Sequence, residues 1–255
     1  MDSSGQLVSP ASVVFVFRVA ALAPTPPLLV PELAGARAPQ TEDLRTAAVA
    51  AVRALTSETD RWLAIGVDDA EGHYDETTVG TLRGYGVDVP VSLSGGSTST
   101  VPDPELPLAV LIAGWLRGAA APESAVEVRT VPATADPRWC AQFGAQLRRE
   151  LDASEQRWGV LVLADGANTL TAKAPGAFDE RAEQLQQGID DALTAAEVDS
   201  LAALDSDLCA ALGVGGRAAW QVLAGVVGAD AMATTELYRG APFGVGYFVG
   251  SWSRA

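Results

Sequence analysis

The constraint that decides most about this 255-residue chain is a set of short, nearly unbroken apolar runs. Residues 158–164 (WGVLVLA) contain no charged residue, and residues 13–23 (VVFVFRVAALA) contain one, Arg18. Residues 62–67 (WLAIGV) repeat the theme, and 126–131 (VEVRTV) read as a strand with Val126 and Val128 on one face. A strand with one face in water alternates apolar and polar residues, whereas a strand covered on both faces is apolar throughout. Between these runs lie helix-length segments with an apolar stripe, spanning 41–55, 104–116, 136–151, 179–196, 198–212 and 216–227. Strand and helix alternate, so the expected fold class is α/β: a layered α/β/α arrangement around a central, mainly parallel sheet. Residues 235–238 and 244–250 add a glycine-rich end to the sheet.

Local signals fix several boundaries. Pro24, Pro26 and Pro27 stop the first strand. Thr41 is the expected N-cap of the next helix, with Glu42 and Asp43 in its first turn. Asp136-Pro137 opens a helix, and Asp179 caps the one after the 158–164 strand. Residues 68–78 read as an acidic loop, and 87–93 as a further strand. Residues 1–12 are polar and read as a flexible tail, leaving 13–255 as a single domain. The 13–23 run lacks a basic stretch before it and contains Arg18, so it reads as a buried strand rather than a secretory signal.

Composition then narrows function. Lys plus Arg number 17 against 32 Asp plus Glu, a formal charge of -15, which repels phosphate backbones and argues against nucleic acid as a partner. No run is long enough to span a bilayer, so the expectation is a cytoplasmic protein with no membrane partner. Cys140 and Cys209 stand far apart on helical segments and read as buried thiols. His73 is the only histidine and Lys173 the only lysine. A site needing two imidazoles from one chain is therefore excluded. A homo-oligomer is compatible with the sequence, which does not set the assembly state.

In open α/β sheets ligands bind beyond the carboxyl ends of strands. The loops expected there carry Thr25 and Glu32; Asp68, Asp69, Glu71 and His73; Asp165, Asn168, Thr169, Thr171 and Lys173; and Tyr238 and Arg239. The acids of 68–76 lack the spacing of a calcium loop and read as a solvated face. Gly213-Val214-Gly215-Gly216 lacks the lysine and hydroxyl of a P-loop, and the serines lack nucleophile-elbow spacing.

Three stretches in order, ALAPTPPLLVPE at 21–32, LVLADGANTLT at 161–171 and APFGVGY at 241–247, resemble motifs of the LigB-type class III extradiol dioxygenase superfamily, which includes the MEMO-like proteins. The pattern is most similar to LigB-like proteins of actinobacteria. The resemblance implies a LigB-like sheet and a strand-end iron site of two histidines and a carboxylate. The chain departs from it where the chemistry sits. Thr25 and Asn168 stand in place of family histidines, Asp69 falls near a third, and Gly240 occupies the place of a common glutamate. Threonine and asparagine are weak, neutral ligands for iron. The expectation is a fold that has lost its iron site, with no metal, no cofactor and no catalytic residue assigned. A small polar or anionic molecule would be held by Thr25, Asp69, Asp165, Asn168 and Lys173, with Lys173 as a point charge. The alternative is a metal-dependent enzyme of the same fold, either a ring-cleaving extradiol dioxygenase or a carboxylate–metal variant.

Overall fold

The structure, a computed structural model, describes residues 17–59, 61–96 and 101–255. The expected tail at 1–12, residues 13–16 of the first expected strand, and Ser97 and Ser99 lie outside the described residues. Among the described residues nine strands form: β1 (Phe17–Ala23), β2 (Arg61–Asp68), β3 (Gly72–Tyr74), β4 (Val79–Thr81), β5 (Pro90–Ser92), β6 (Ala125–Pro132), β7 (Trp158–Leu163), β8 (Met232–Gly240) and β9 (Tyr247–Arg254). Seven of them make one sheet in the order β3-β6-β2-β7-β1-β9-β8, and β4 and β5 make a separate small pair.

The apolar runs occupy the middle of the large sheet. β6, β2, β7 and β1 are mutually parallel, with Ala64 beside Leu161 and Ala21 beside Leu161 across β7. β3 and β9 flank them antiparallel, and β8 pairs antiparallel with β9, so it runs with the central block. The parallel strands are thus a central block of four within seven. β7 lies between β2 and β1 and is covered on both faces: Val160 and Val162 enter one core, Leu161 and Leu163 the other. That two-sided burial is what an unbroken apolar run requires.

The helices are α1 (Pro31–Ala34), α2 (Glu42–Thr56), α3 (Leu108–Ala120), α4 (Pro137–Asp152), α5 (Arg181–Ala195), α6 (Val198–Ala202), α7 (Ser206–Ala211) and α8 (Arg217–Val227). Leu44, Val52 and Leu55 of α2 and Leu111 and Leu116 of α3 pack on the face bearing Ala21 and Leu161. Helices α4 to α8 cover the other face through residues such as Leu147, Ile189, Cys209 and Leu223. Burying each large aliphatic or aromatic side chain contributes about 1.5–3 kcal/mol, so the two cores dominate stability.

Local signals were read with mixed success. Asp136 caps α4, accepting from the amides of Arg138 at 2.8 Å and Trp139 at 3.3 Å. Asp179 accepts from the Arg181 amide at 2.9 Å two residues before α5, and Glu180 takes the cap position without a side-chain hydrogen bond. Thr41 does not cap α2. Its hydroxyl lies 3.2 Å from the carbonyls of Leu28 and Ala38 and accepts from Arg45 at 2.9 Å, because a 3-10 turn at Gly35–Thr41 runs straight into the helix. The 87–93 segment shortens to β5, and the acidic 68–78 loop contains β3, whose backbone pairs with the otherwise open edge of β6. Among the described residues no helix is long and apolar enough to cross a membrane.

Candidate functional site

The chain order of the sheet creates a crevice at a definite place. β1 and β7 are neighbours, but the chain after β1 leads to α2 on one face, and the chain after β7 leads to α5 on the other. Connections that diverge in this way leave a gap at the carboxyl ends of the two strands, where open α/β sheets bind ligands. Thr25 and Asp165 sit in that gap, each two residues beyond its strand.

They fill it by bonding to each other. The Thr25 amide donates to Asp165 Oδ1 at 2.8 Å, and the Thr25 hydroxyl donates to Oδ2 at 2.6 Å. Both carboxyl oxygens are engaged. Burial pushes the Asp165 carboxyl above the ordinary aspartate range, and the two Thr25 hydrogen bonds pull it partly back. Tyr247, buried on β9, is pushed up as well, by its own burial and then by the nearby Asp165 charge.

Asn168 belongs to the same loop but serves its packing. Its amide donates to the Leu212 carbonyl at 3.3 Å and its carbonyl accepts from Gly176 at 2.9 Å. A Cβ on Gly213, whose φ is +64°, would lie 1.9 Å from Asn168 Oδ1. The Asn168 side chain therefore occupies space that only a glycine leaves open. The neighbouring Thr169 hydroxyl donates to the Leu212 carbonyl at 2.9 Å, which ties the loop after β7 to the turn before α8. Asp69 is exposed just past β2, and Lys173 is exposed on the outer part of the 165–176 loop. No hydrogen bond or ion pair links either to the Thr25–Asp165 pair. His73 is exposed on β3 and lies 3.3 Å from Glu127, with the central block of the sheet between it and Thr25. Among the described residues no three His, Cys, Asp or Glu side chains converge as metal ligands.

One strand-end loop leads to a second locus. Gln186, buried on α5, accepts from the Ala167 amide at 2.8 Å and donates to Asp190 Oδ1 at 2.8 Å. Gly166 and Gly246 let the two loops close over it, since a Cβ at either would lie 2.1 Å or 2.2 Å from the Gln186 amide group. Asp190 is 6% exposed. Its Oδ2 is 3.8 Å from Arg239 Nε, beyond hydrogen-bond reach. Burial, opposed by the Gln186 hydrogen bond and Arg239, pushes its carboxyl up to about 6.

Asp190, Gln186 and Arg239 line a cleft of about 490 Å³ roofed by Thr171 and Ala241. It opens at the carboxyl edge of the sheet, between α5 and the turn joining β8 to β9. Other cavities lie elsewhere, among them one of about 340 Å³ by Thr59 and Arg157 at the opposite end of the strands, and one of about 530 Å³ over β5 and α3. Arg239 was legible as a strand-end residue. Gln186 and Asp190 were not, although a signal exists: they share the helical spacing of the buried Ala182, Ile189 and Leu193, so two polar residues stand on an apolar stripe.

No protein-family model and no curated protein matches the chain. Eighteen solved chains match its structure. One of them is an uncharacterized protein of Escherichia coli K12, JW3007, at a TM-score of 0.53 and 12% identity, with 92% of this chain and 99% of that chain covered. That likeness carries the layered α/β fold and nothing about chemistry.

Proposed function

We propose that the chain is a LigB-like, cytoplasmic protein that has lost iron-dependent ring cleavage and binds a small polar molecule at the carboxyl edge of its sheet. The observation that supports this reading is the Thr25–Asp165 pair. A metal at the β1/β7 crevice would need several converging ligands, and the one carboxylate at this pair, Asp165, already accepts from Thr25 at each oxygen. Thr25 itself offers only a hydroxyl, a poor ferrous ligand. The pocket function moves one loop across, to the α5/β8 cleft, where the polar groups keep unused bonding capacity. The carboxylate–metal alternative would have Asp165 share its oxygens between Thr25 and the metal, with no further His, Cys, Asp or Glu converging beside it among the described residues.

Anaerobic loading with ferrous iron, followed by desalting and metal analysis, tests the reading. The expected result is iron far below one equivalent per chain, with catechol turned over no faster than by free iron. One tightly held iron per chain, dependent on Asp165, would overturn it.

A further inference from the structure

We infer that the α5/β8 cleft selects a small organic cation, an alkylammonium group seated on Asp190, rather than an anion. The inference rests on the cleft reading above and adds the sign of the ligand's charge.

The groups facing the cleft decide that sign. Arg239 is its one cation, and it is already surrounded by acids. Its Nη2 is 2.8 Å from Asp191, and its Nε is 3.7 Å from Glu236 and 3.8 Å from Asp190. Glu183 on α5 adds a further acid at the rim. An incoming anion would meet the Asp190 and Glu183 carboxylates of the lining, and the Arg239 charge is already offset by Asp191 and Glu236. An ammonium meets the reverse. Asp190 Oδ2 is the acceptor without a hydrogen bond, while Oδ1 is fixed by Gln186 and so aims the carboxyl. A buried carboxylate oxygen held only by a 3.8 Å ion pair to Arg239, with no hydrogen bond, keeps room to accept from a charged donor. Leu170 and Ala241 supply apolar wall for the ligand's carbon chain.

The geometry also sets a pH dependence. An alkylammonium keeps its proton to about pH 10. Burial, opposed by the Gln186 hydrogen bond and Arg239, raises the Asp190 carboxyl to about 6, with Glu236 and Asp191 adding to the rise. Cation affinity should therefore be full above that range and fall as pH drops through it.

Three probes with the same four-carbon chain separate the cases: n-butylamine, 1-butanol and butyrate, each titrated into the ¹⁵N-labelled full chain. The expected result is saturable shifts of the Thr171, Gln187 and Gly240 amides with butylamine alone. Asp190→Asn should weaken butylamine about tenfold or more and abolish its pH dependence, as loss of a charge-assisted bond in a partly buried site implies. Arg239→Gln removes the cleft's competing cation and should tighten butylamine at pH 8, and a dispersed amide spectrum of Asp190→Asn checks that this variant folds. If butyrate alone shifts these amides, the charge assignment is wrong while the cleft reading survives. If all three probes shift them equally, the cleft reads only the carbon chain and the inference fails. If none does, both the inference and the cleft reading fall.

Discussion

Two aspartates, Asp165 half-buried and Asp190 buried, stand at the carboxyl edge of the same sheet, and their hydrogen bonding differs. Asp165 in the β1/β7 crevice spends both oxygens on Thr25, at 2.8 and 2.6 Å. Asp190 in the α5/β8 cleft spends one on Gln186 and leaves the other 3.8 Å from Arg239. Burial raises both carboxyls. The first is a closed polar contact that joins two loops, and the second retains capacity for a guest. A raised aspartate is thus insufficient to mark a site; the count of acceptors left over separates the two.

The largest effect should come from the link between them. Gly166→Ala forces a Cβ to 2.1 Å from Gln186 Oε1 and displaces the amide that holds both Ala167 and Asp190. Overpacking with loss of a buried hydrogen bond should cost about 2–4 kcal/mol in urea unfolding. A near-neutral result would show that Gln186 does not couple the two regions.

Next is the pH response of Asp190. Its folded carboxyl sits near 6, above the value of 3.8 expected for an unperturbed group. The folded state therefore binds the proton more tightly, and this stabilising contribution is present at low pH and is lost as pH rises through about 6. The stability difference between the parent and Asp190→Asn should shift against the parent by roughly 1–3 kcal/mol between pH 4 and pH 7. A difference that stays flat over that range would place Asp190 in contact with water.

Thr25→Val tests the closed contact. It removes the hydroxyl, keeps the amide donor, and leaves Asp165 Oδ2 without its partner. The expected loss is about 1–2 kcal/mol in urea unfolding, with butylamine binding at the other locus unchanged. The smallest effects belong to Asp69→Ala and Lys173→Ala. Both residues are exposed and make no contact with either locus, so thermal melting should move by no more than the equivalent of about 0.5 kcal/mol. A large effect from either would return it to the site.

The fold was legible in the sequence where burial is two-sided. The 158–164 run announced β7 because no half-exposed strand tolerates such a pattern. β3 was hidden, since Gly72, His73 and Tyr74 form a strand only by pairing with the edge of β6, a contact between residues over fifty positions apart. Thr41 misled because the capping rule assumes an extended residue, and a 3-10 turn precedes the helix. The Thr25–Asp165 contact was half visible: both residues stood in strand-end loops, but their adjacency depends on β7 inserting between β2 and β1. Asn168 resembled a ligand position, yet the glycines at 176 and 213 reserve its place in packing. Asp190 was masked because a helix periodicity records position, and only the tertiary structure shows that the buried stripe meets a cleft.

The most direct test of the difference between the two aspartates is residue-resolved paramagnetic broadening. Manganese(II), added anaerobically in substoichiometric steps to the ¹⁵N-labelled chain, reports which carboxylates have lone pairs to give. The account predicts that the amides of Thr25, Gly166 and Asn168 keep their intensity while only amides near exposed acids lose it gradually. Selective disappearance of Thr25, Gly166 and Asn168 at the first additions would show an open metal site at Asp165 and contradict the account.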